Sequence, residues 1–245
     1  MTQSDRPANG GRDDARPSER NRKRNIVDDG LRPDLVRGAS FCGILEMPLI
    51  KAPKHIITPT GMVPWSRRGY DHIPDDFVCF YEMDPLFSDV LLAVDEHVEE
   101  LTRFAGVISP DCSLYYEMPL AAQIANTYLN RSVGYQLQQR GLYVVPNIRW
   151  GDERTYTTCE LPEKLAFLGV EKRSVVSIGA YGVSKTSRER YHMRAGLEAM
   201  LEELEPRVVL VYGAMPKDVF SGLEDCTEFL NYPDWISRQK GGRNG

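Results

Sequence analysis

SVVSIGAYGVSKTSRERYHMRAGLEAMLEELEPRVVLVYG, Ser174 to Gly213, is the stretch whose reading decides the fold. An apolar run of strand length, a segment of helical period and a second apolar run follow one another. Thr186 and Glu189 stand at the spacing of a capping box, and Met193, Leu197, Met200, Leu201 and Leu204 recur on one helical face. Pro206 then stops the helix before Val208. Two strands joined through a helix form a right-handed βαβ unit, so the two runs should pair in parallel.

The same alternation extends in both directions. FVCFY, Phe77 to Tyr81, is strand-like, and Asp84 then Pro85 supply an N-cap and first-turn proline for a helix whose stripe runs from Phe87 to Phe104. Gly106-Val-Ile-Ser is the next strand. Pro119 opens a second helix, with Gly141 placed as its C′ residue, and Leu142 to Pro146 is strand-like again. A short helix from Pro162 to Leu168, another from Pro216 to Leu223 and a last strand, Glu228 to Asn231, complete the series. This alternation implies a mostly parallel sheet covered on both faces.

Upstream, FCGILEM, Phe41 to Met47, reads as a first strand. The prolines at 48, 53, 59, 64 and 74 make the stretch to Asp76 an ordered loop with short extended pieces, one of them His55 to Thr58. With these additions the strand count reaches seven or eight. The fold class is α/β, built of repeated βα units, and a small or incomplete TIM-like barrel is favoured over an open doubly wound sheet. Residues 1–38 are expected to be a disordered tail, 39–237 a single α/β domain, and 238–245 a disordered C-terminal tail.

The formal charge of −5 hides a division. Residues 1–37 carry +2 and the residues after Ser237 carry +3, which leaves −10 on the body. An acidic body repels phosphate backbones, so nucleic acid is expected to engage only through the basic tail, around Arg20, Arg22, Lys23 and Arg24. The five cysteines are scattered, with no C-x-x-C pair, which points to a reducing compartment. The four histidines stand at no zinc-ligand spacing. No apolar run approaches the roughly 20 residues needed to cross a bilayer. A cytoplasmic protein without membrane contact is the expectation.

In parallel α/β folds ligands bind beyond the C-terminal ends of the strands. There the chain places Glu82 and Asp84; Asp111 and Ser113; Asn147, Arg149, Trp150 and Asp152; Gly179, Gly182 and Lys185; and Tyr212 and Gly213. Asp111, Asp152 and Glu82 are the candidate catalytic carboxylates. Asp111 is suited to accept a proton, act as a nucleophile or bind Mg²⁺, the candidate ion; its structural alternative is a turn cap. Asn147, Arg149 and Trp150 offer an amide, a guanidinium fork and a flat face, which suit a phosphate, carboxylate or nucleobase. Their structural alternative is an Arg149 ion pair beneath a packed Trp150. GAYGVSKTS sets glycines, Lys185 and hydroxyls before a helix, a phosphate-cradling arrangement that lacks the Gly-Lys pair of a Walker A loop. No G-x-S-x-G elbow exists, and Ser113 and Ser177 have no histidine nearby in sequence, so a serine hydrolase is disfavoured.

GVISPDCSLYYEMP, GLYVVPNIRWGD, SVVSIGAYG and VVLVYG, in this order, resemble domain of unknown function 4417, a family found in phages, plasmids and bacterial chromosomes. The resemblance covers roughly Phe41 to Phe220, with Asp111, Ser113, Asn147, Trp150, Gly179, Gly182, Tyr212 and Gly213 on its motifs. It implies a mobile-element context and carries no established activity. Two functions remain in competition. One is an enzyme holding a small anionic, phosphate-containing or nucleoside substrate over the strand ends through Arg149 and Lys185. The other is a non-catalytic accessory that binds nucleic acid or a host protein through its tail and the Trp65 to Tyr70 loop. A virion component is weaker, because it needs no ionisable cluster at strand ends.

Overall fold

The computed structural model describes residues 33–70, 74–180 and 186–241. Most of the expected N-terminal tail, residues 242–245, and the Gly182 and Lys185 positions lie outside the described residues. Two short strands, β1 (Phe41–Cys42) and β2 (Met47–Pro48), form an antiparallel hairpin with Phe41 opposite Pro48. FCGILEM is therefore two strands and a turn, not one strand of the main sheet. The cause is local: Gly43 at φ +70° and Glu46 at φ +48° turn the chain back. A Cβ on Gly43 would stand 2.6 Å from a carboxylate oxygen of Glu163, so glycine suits both the space and the dihedral.

All further pairing among the described residues is parallel. β3 (Met62–Pro64), β4 (Phe77–Cys79), β5 (Gly106–Ile108) and β6 (Val144–Val145) form one ladder in that order. β7 (Val175–Gly179), β8 (Val208–Tyr212) and β9 (Glu228–Tyr232) form the second. β7 and β8 run in register from Val175 opposite Val208 to Gly179 opposite Tyr212, as the βαβ reading requires. One parallel bridge, Asn147 to Ser177, couples the ladders. Around it the Ser177 amide donates to the Pro146 carbonyl at 2.9 Å and the Ile148 amide to the Ser177 carbonyl at 2.8 Å.

The ring does not close, so the expected TIM-like barrel is not formed: no ladder joins β9 to β3 among the described residues. A barrel needs every strand bonded on both sides at a common stagger. β3 is three residues long and ends on Pro64, which has no N–H to offer. β9 reaches across only through the Tyr232 hydroxyl, which donates to the Pro59 carbonyl at 3.0 Å. Nor is the sheet doubly wound, because strand order follows chain order in both ladders without the reversal that defines that fold. His55 to Thr58 forms no strand; β3 is the extended piece that the proline-rich stretch contributes.

The helices cover the sheet where the apolar stripes place them. After a 3₁₀ turn, Asp84–Leu86, the expected single helix is two, α1 (Ser88–Leu92) and α2 (Val94–Leu101), broken where Ala93 leaves helical geometry at φ −144° and ψ 57°. α3 (Leu120–Gln139) ends as anticipated: Gly141 takes φ +85°, its amide donates to the Gln138 carbonyl and the Leu142 amide to that of Leu137. α4 (Glu153–Tyr156) is one turn, and the expected 162–168 helix is a 3₁₀ turn, Leu165–Phe167. α5 (Ser187–Leu204) carries the full Thr186/Glu189 capping box. α6 (Lys217–Phe220) and α7 (Trp235–Gly241) follow, the latter running past the 237 boundary. Leu35, ahead of residue 39, is buried with Val63 and Trp65. No helix among the described residues is long and apolar enough to cross a membrane.

Strand alternation sorts the core. Val176, Ile178, Val209 and Val211 pack outward under Leu197 and Met200 of α5, and Val63, Val78, Val107 and Val144 pack outward against the helices on the other ladder. The inward residues of both ladders, Phe77, Cys79, Ile108, Val145, Leu210 and Tyr212 among them, share one cluster.

Gly134, in the middle of α3, tests how closely that helix sits on the sheet. In an exposed helix Gly→Ala stabilises by about 1 kcal/mol. Here the new Cβ would meet Ser109 Cβ at 2.9 Å and Ile50 Cδ1 at 2.4 Å. Gly134→Ala is therefore expected to destabilise by about 1–3 kcal/mol, read as a lower urea midpoint at unchanged slope; a rise in the midpoint would show that α3 has room.

Candidate functional site

Because the strands are parallel, the residues that follow β4, β5, β6 and β7 emerge on one edge. Glu82, Asp111, Ser113, Arg149, Trp150 and Gly179 come from those continuations and line a single cavity of about 630 Å³. Segments separated by up to about a hundred residues in the chain thus meet without any long-range assumption beyond parallel pairing.

A chain of hydrogen bonds crosses four strand ends at the base of the cavity; Tyr81, Asp111 and Arg149 line the cavity, whereas Asn147 and Ser177 are buried behind it. Ser177 Oγ and the Tyr81 hydroxyl lie 2.6 Å apart, and the Tyr81 hydroxyl is 3.1 Å from Asn147 Oδ1. Asn147 Nδ2 donates to Asp111 Oδ1 at 2.8 Å, while Arg149 Nη1 holds Asp111 Oδ2 and Arg149 Nε donates to the Leu114 carbonyl at 3.1 Å. Tyr81 reaches the floor because Gly179 has no side chain: a Cβ there would stand 2.7 Å from the Tyr81 ring. The other face of Tyr81 stacks on Tyr212, with ring centroids 5.0 Å apart.

Asp111 is 6% exposed. Burial pushes its carboxyl above the usual value, against the pull of the Arg149 guanidinium and the Asn147 amide, and Asp84 adds a smaller push in the same direction. Burial likewise drives the Tyr81 phenol well above its ordinary value, with Asp111 adding to the effect. Both groups are protonated more readily than in water.

Beneath the floor Arg131 is held by acceptors alone. Its guanidinium donates to the carbonyls of Leu168 at 2.8 Å, Ala166 at 2.9 Å and Asn147 at 2.9 Å, and to Asn130 Oδ1 at 2.7 Å. Burial lowers its pKa to about 10, which still leaves it charged near neutrality.

The walls are aromatic. Trp150 Nε1 donates to the His192 carbonyl at 2.9 Å, and its indole lies against Gly196 of α5, where a Cβ would be 2.3 Å from Nε1. The His192 ring stands 5.1 Å from that of Tyr116, and its Nδ1 is 2.9 Å from the Tyr156 hydroxyl. Arg188 lays its guanidinium 3.6 Å over the Tyr116 ring. Sequence reasoning missed Tyr116, Arg188 and His192. The signal was present: α5 begins at the same edge, and Arg188 and His192, like Glu189 and Met193, are four apart on one face of its first turns.

Other expected site residues lie elsewhere or are already engaged. Asp152 does not line the cavity: it caps α4 through the Arg154 amide at 3.2 Å, accepts from the Glu117 amide at 3.1 Å and pairs with the Arg154 side chain at 2.6 Å. Burial raises its pKa, yet these bonds outweigh burial and hold it below the usual value. Glu82 lines the cavity with both oxygens bound by Ser66, at 2.9 and 2.6 Å. Asp84 makes no cap and accepts instead from Ser113 Oγ at 2.6 Å and from its amide at 3.1 Å. Tyr212 sits beneath Tyr81, and Gly213, at φ +107°, bonds to β9. Arg149 paired with Asp111 and Trp150 packed on α5 realise the structural alternative for that trio, and both still line the cavity.

Among the described residues no three His, Cys, Asp or Glu side chains are grouped to hold a metal ion. In the Trp65 to Tyr70 loop Trp65 is fully buried, and Arg68 lies 3.6 Å over its ring and pairs with Glu100 at 2.9 Å, so these two side chains are taken up by the fold.

Residues 39–233 match the family model for a domain of unknown function, DUF4417. The chain is similar to the Gene 1 protein of Mycobacterium phage D29, 25% identical over 198 residues that make up 80% of this chain and 69% of that protein. It is also similar to the Gene 1 protein of Mycobacterium phage L5, 26% identical over 192 residues, 75% of this chain and 80% of that protein. No solved structure matches it.

The raised carboxyl of Asp111 sets a pH signature. Between its unfolded and folded pKa values the folded state binds more protons than the unfolded state, so stability falls as pH rises through that window and is regained on acidification toward about 4. Asp111→Asn lacks this contribution. The wild-type-minus-variant difference in unfolding free energy is therefore expected to grow as pH is lowered from 7 toward 4 in urea titrations. A flat or shrinking difference would mean that the carboxyl is not held above its ordinary value.

Proposed function

The chain belongs to the family of the phage-associated domain of unknown function DUF4417, and from that premise we propose that its strand-end cavity is an active site for a small molecule combining a flat ring with an anionic group, of the nucleoside phosphate class. The observation that carries this reading is the convergence of Asp111, Arg149, Trp150 and Gly179 on one cavity of about 630 Å³, a volume suited to one such molecule. The aromatic walls offer faces for a base, since stacking on aromatic rings contributes about 1–3 kcal/mol per base. Arg188, exposed at the rim over Tyr116, and Arg149 supply the guanidinium donors for the anionic part.

In this reading Asp111 is the acid–base group. A carboxyl raised toward the working pH both holds and releases a proton more usefully than an ordinary one. Arg149 and Asn147 fix its two oxygens, so the proton sits at a defined place, and a ligand anion that draws Arg149 away would free Oδ2 to take one up. The alternative, an accessory acting through the basic tail, rests on residues before position 33 and gains no support from the Trp65 to Tyr70 loop.

A panel of nucleotides, nucleosides and sugar phosphates, screened by thermal shift, tests the proposal. A ligand present at a hundred times its Kd adds about 2.7 kcal/mol to stability, a rise of several degrees in Tm. Arg188→Ala and Trp150→Phe are expected to reduce that rise, and Asp111→Asn to abolish turnover while retaining binding. Failure of every anionic compound, or stabilisation by neutral and cationic compounds alone, would remove the basis for the reading.

A further inference from the structure

We propose that a second site, at the opposite edge of the sheet, binds a small phosphate-bearing anion. A cleft of about 340 Å³ opens where β7 and β8 begin: Ser174 and Arg207 immediately precede the two strands. The cavity described above lies where β7 ends, so the two sites are separated by the length of the strands. Part of the proline-rich stretch, residues 52–56, forms the other wall.

Lys54, His55, Arg173 and Arg207 line this cleft and no acidic residue does so among the described residues. That concentration stands in a body whose net charge is −10, where scattered positive charges would ordinarily find acidic neighbours. One does: Glu205 accepts from Arg173 Nε and Nη2, each at 2.9 Å, while Glu171 is engaged by the backbone amide of Ala52 at 2.7 Å. Both contacts hold the cleft's edges in place, and Lys54 and Arg207 make no ion pair among the described residues.

A further observation points to a ligand. Ser174 is 5% exposed and its Oγ has no hydrogen-bond partner, an unfavourable state for a buried hydroxyl that a bound oxyanion would relieve. A phosphate offers three acceptor oxygens, enough for the Lys54 ammonium, the Arg207 guanidinium and the Ser174 hydroxyl together. The ligand is small, because a duplex would also have to face the acidic surroundings of the cleft.

The four histidines make the test site-specific. His55 lines the cleft and His192 lines the strand-end cavity, so the imidazole proton resonances of the full chain, assigned with His55→Gln and His192→Gln, report the two sites separately. Titration at constant pH with inorganic phosphate and with glycerol phosphate is expected to move the His55 resonance saturably. Arg207→Ala and Lys54→Ala, both at exposed positions, should each weaken that titration roughly tenfold. Ser174→Ala should weaken it as well while leaving the Tm of the ligand-free chain unchanged or higher, since it removes an orphaned hydroxyl. A stationary His55 resonance, movement of His192 alone, or wild-type titrations in Arg207→Ala and Lys54→Ala would overturn the proposal. A response to a short DNA duplex but not to phosphate would overturn it in favour of nucleic-acid binding. Because this readout does not involve the strand-end cavity, it can fail or succeed independently of the proposed active site.

Discussion

Asn147 is the point through which the two parallel ladders meet. Its backbone bridges to Ser177 of the second ladder, its amide donates to Ser109 Oγ at 2.8 Å, and its carbonyl accepts from Arg131 at 2.9 Å and from Asn130 Nδ2 at 3.3 Å. Its side chain then ties Tyr81 to Asp111. A fully buried amide is unfavourable unless each polar group is paired, and here each is. The same bonds that satisfy it join α3, β5, β6 and β7, so the cavity floor is not an addition to the scaffold but the seam of it.

That seam explains why so much polarity is buried in a protein of this size. Arg131 keeps its charge in the interior because carbonyl oxygens at a helix-facing turn and the Asn130 amide replace its hydration. Asp111 is buried beside the Arg149 guanidinium, and its pKa is still raised. Desolvation outweighs attraction in this place. Asp152 shows the opposite balance: it is held below the usual value, because backbone amides and a side-chain fork from Arg154 outweigh a smaller desolvation. Environment, not residue type, separates a chemically adjustable acid from a cap.

The two ends of the strands differ in kind. At the C-terminal ends, aromatic faces and paired charges of both signs line a deep cavity. At the start of β7 and β8 the lining is small and basic, with a buried hydroxyl lacking a partner. A parallel sheet produces this asymmetry because every strand presents its residues to the same edge in the same direction, so differences between strand starts and strand ends accumulate instead of cancelling.

Alternation of apolar runs with helical stripes was enough to read parallel pairing of β7 with β8, the Thr186/Glu189 capping box, the Gly141 helix end and the placing of Asp111, Asn147, Arg149 and Trp150 at one edge, since each depends on residues close in sequence or on the direction of a strand. Other features were beyond it. Phe41 to Met47 carries the apolar density of a strand, and only the left-handed backbone at Gly43 and Glu46 makes it a hairpin. Whether the ladders close depends on bonds between residues as distant as Pro59 and Tyr232, which no local pattern encodes. Arg131 is a charged residue in the middle of α3, and it is buried because the carbonyls of Leu168 and Ala166 come to it from another segment. Asp152 is tied to its own helix start by Arg154, two residues on, and to a distant segment only through the Glu117 amide. Periodicity reports which face of an element is apolar, whereas the partner of a buried polar group is chosen by packing between distant segments, and that choice belongs to the tertiary structure.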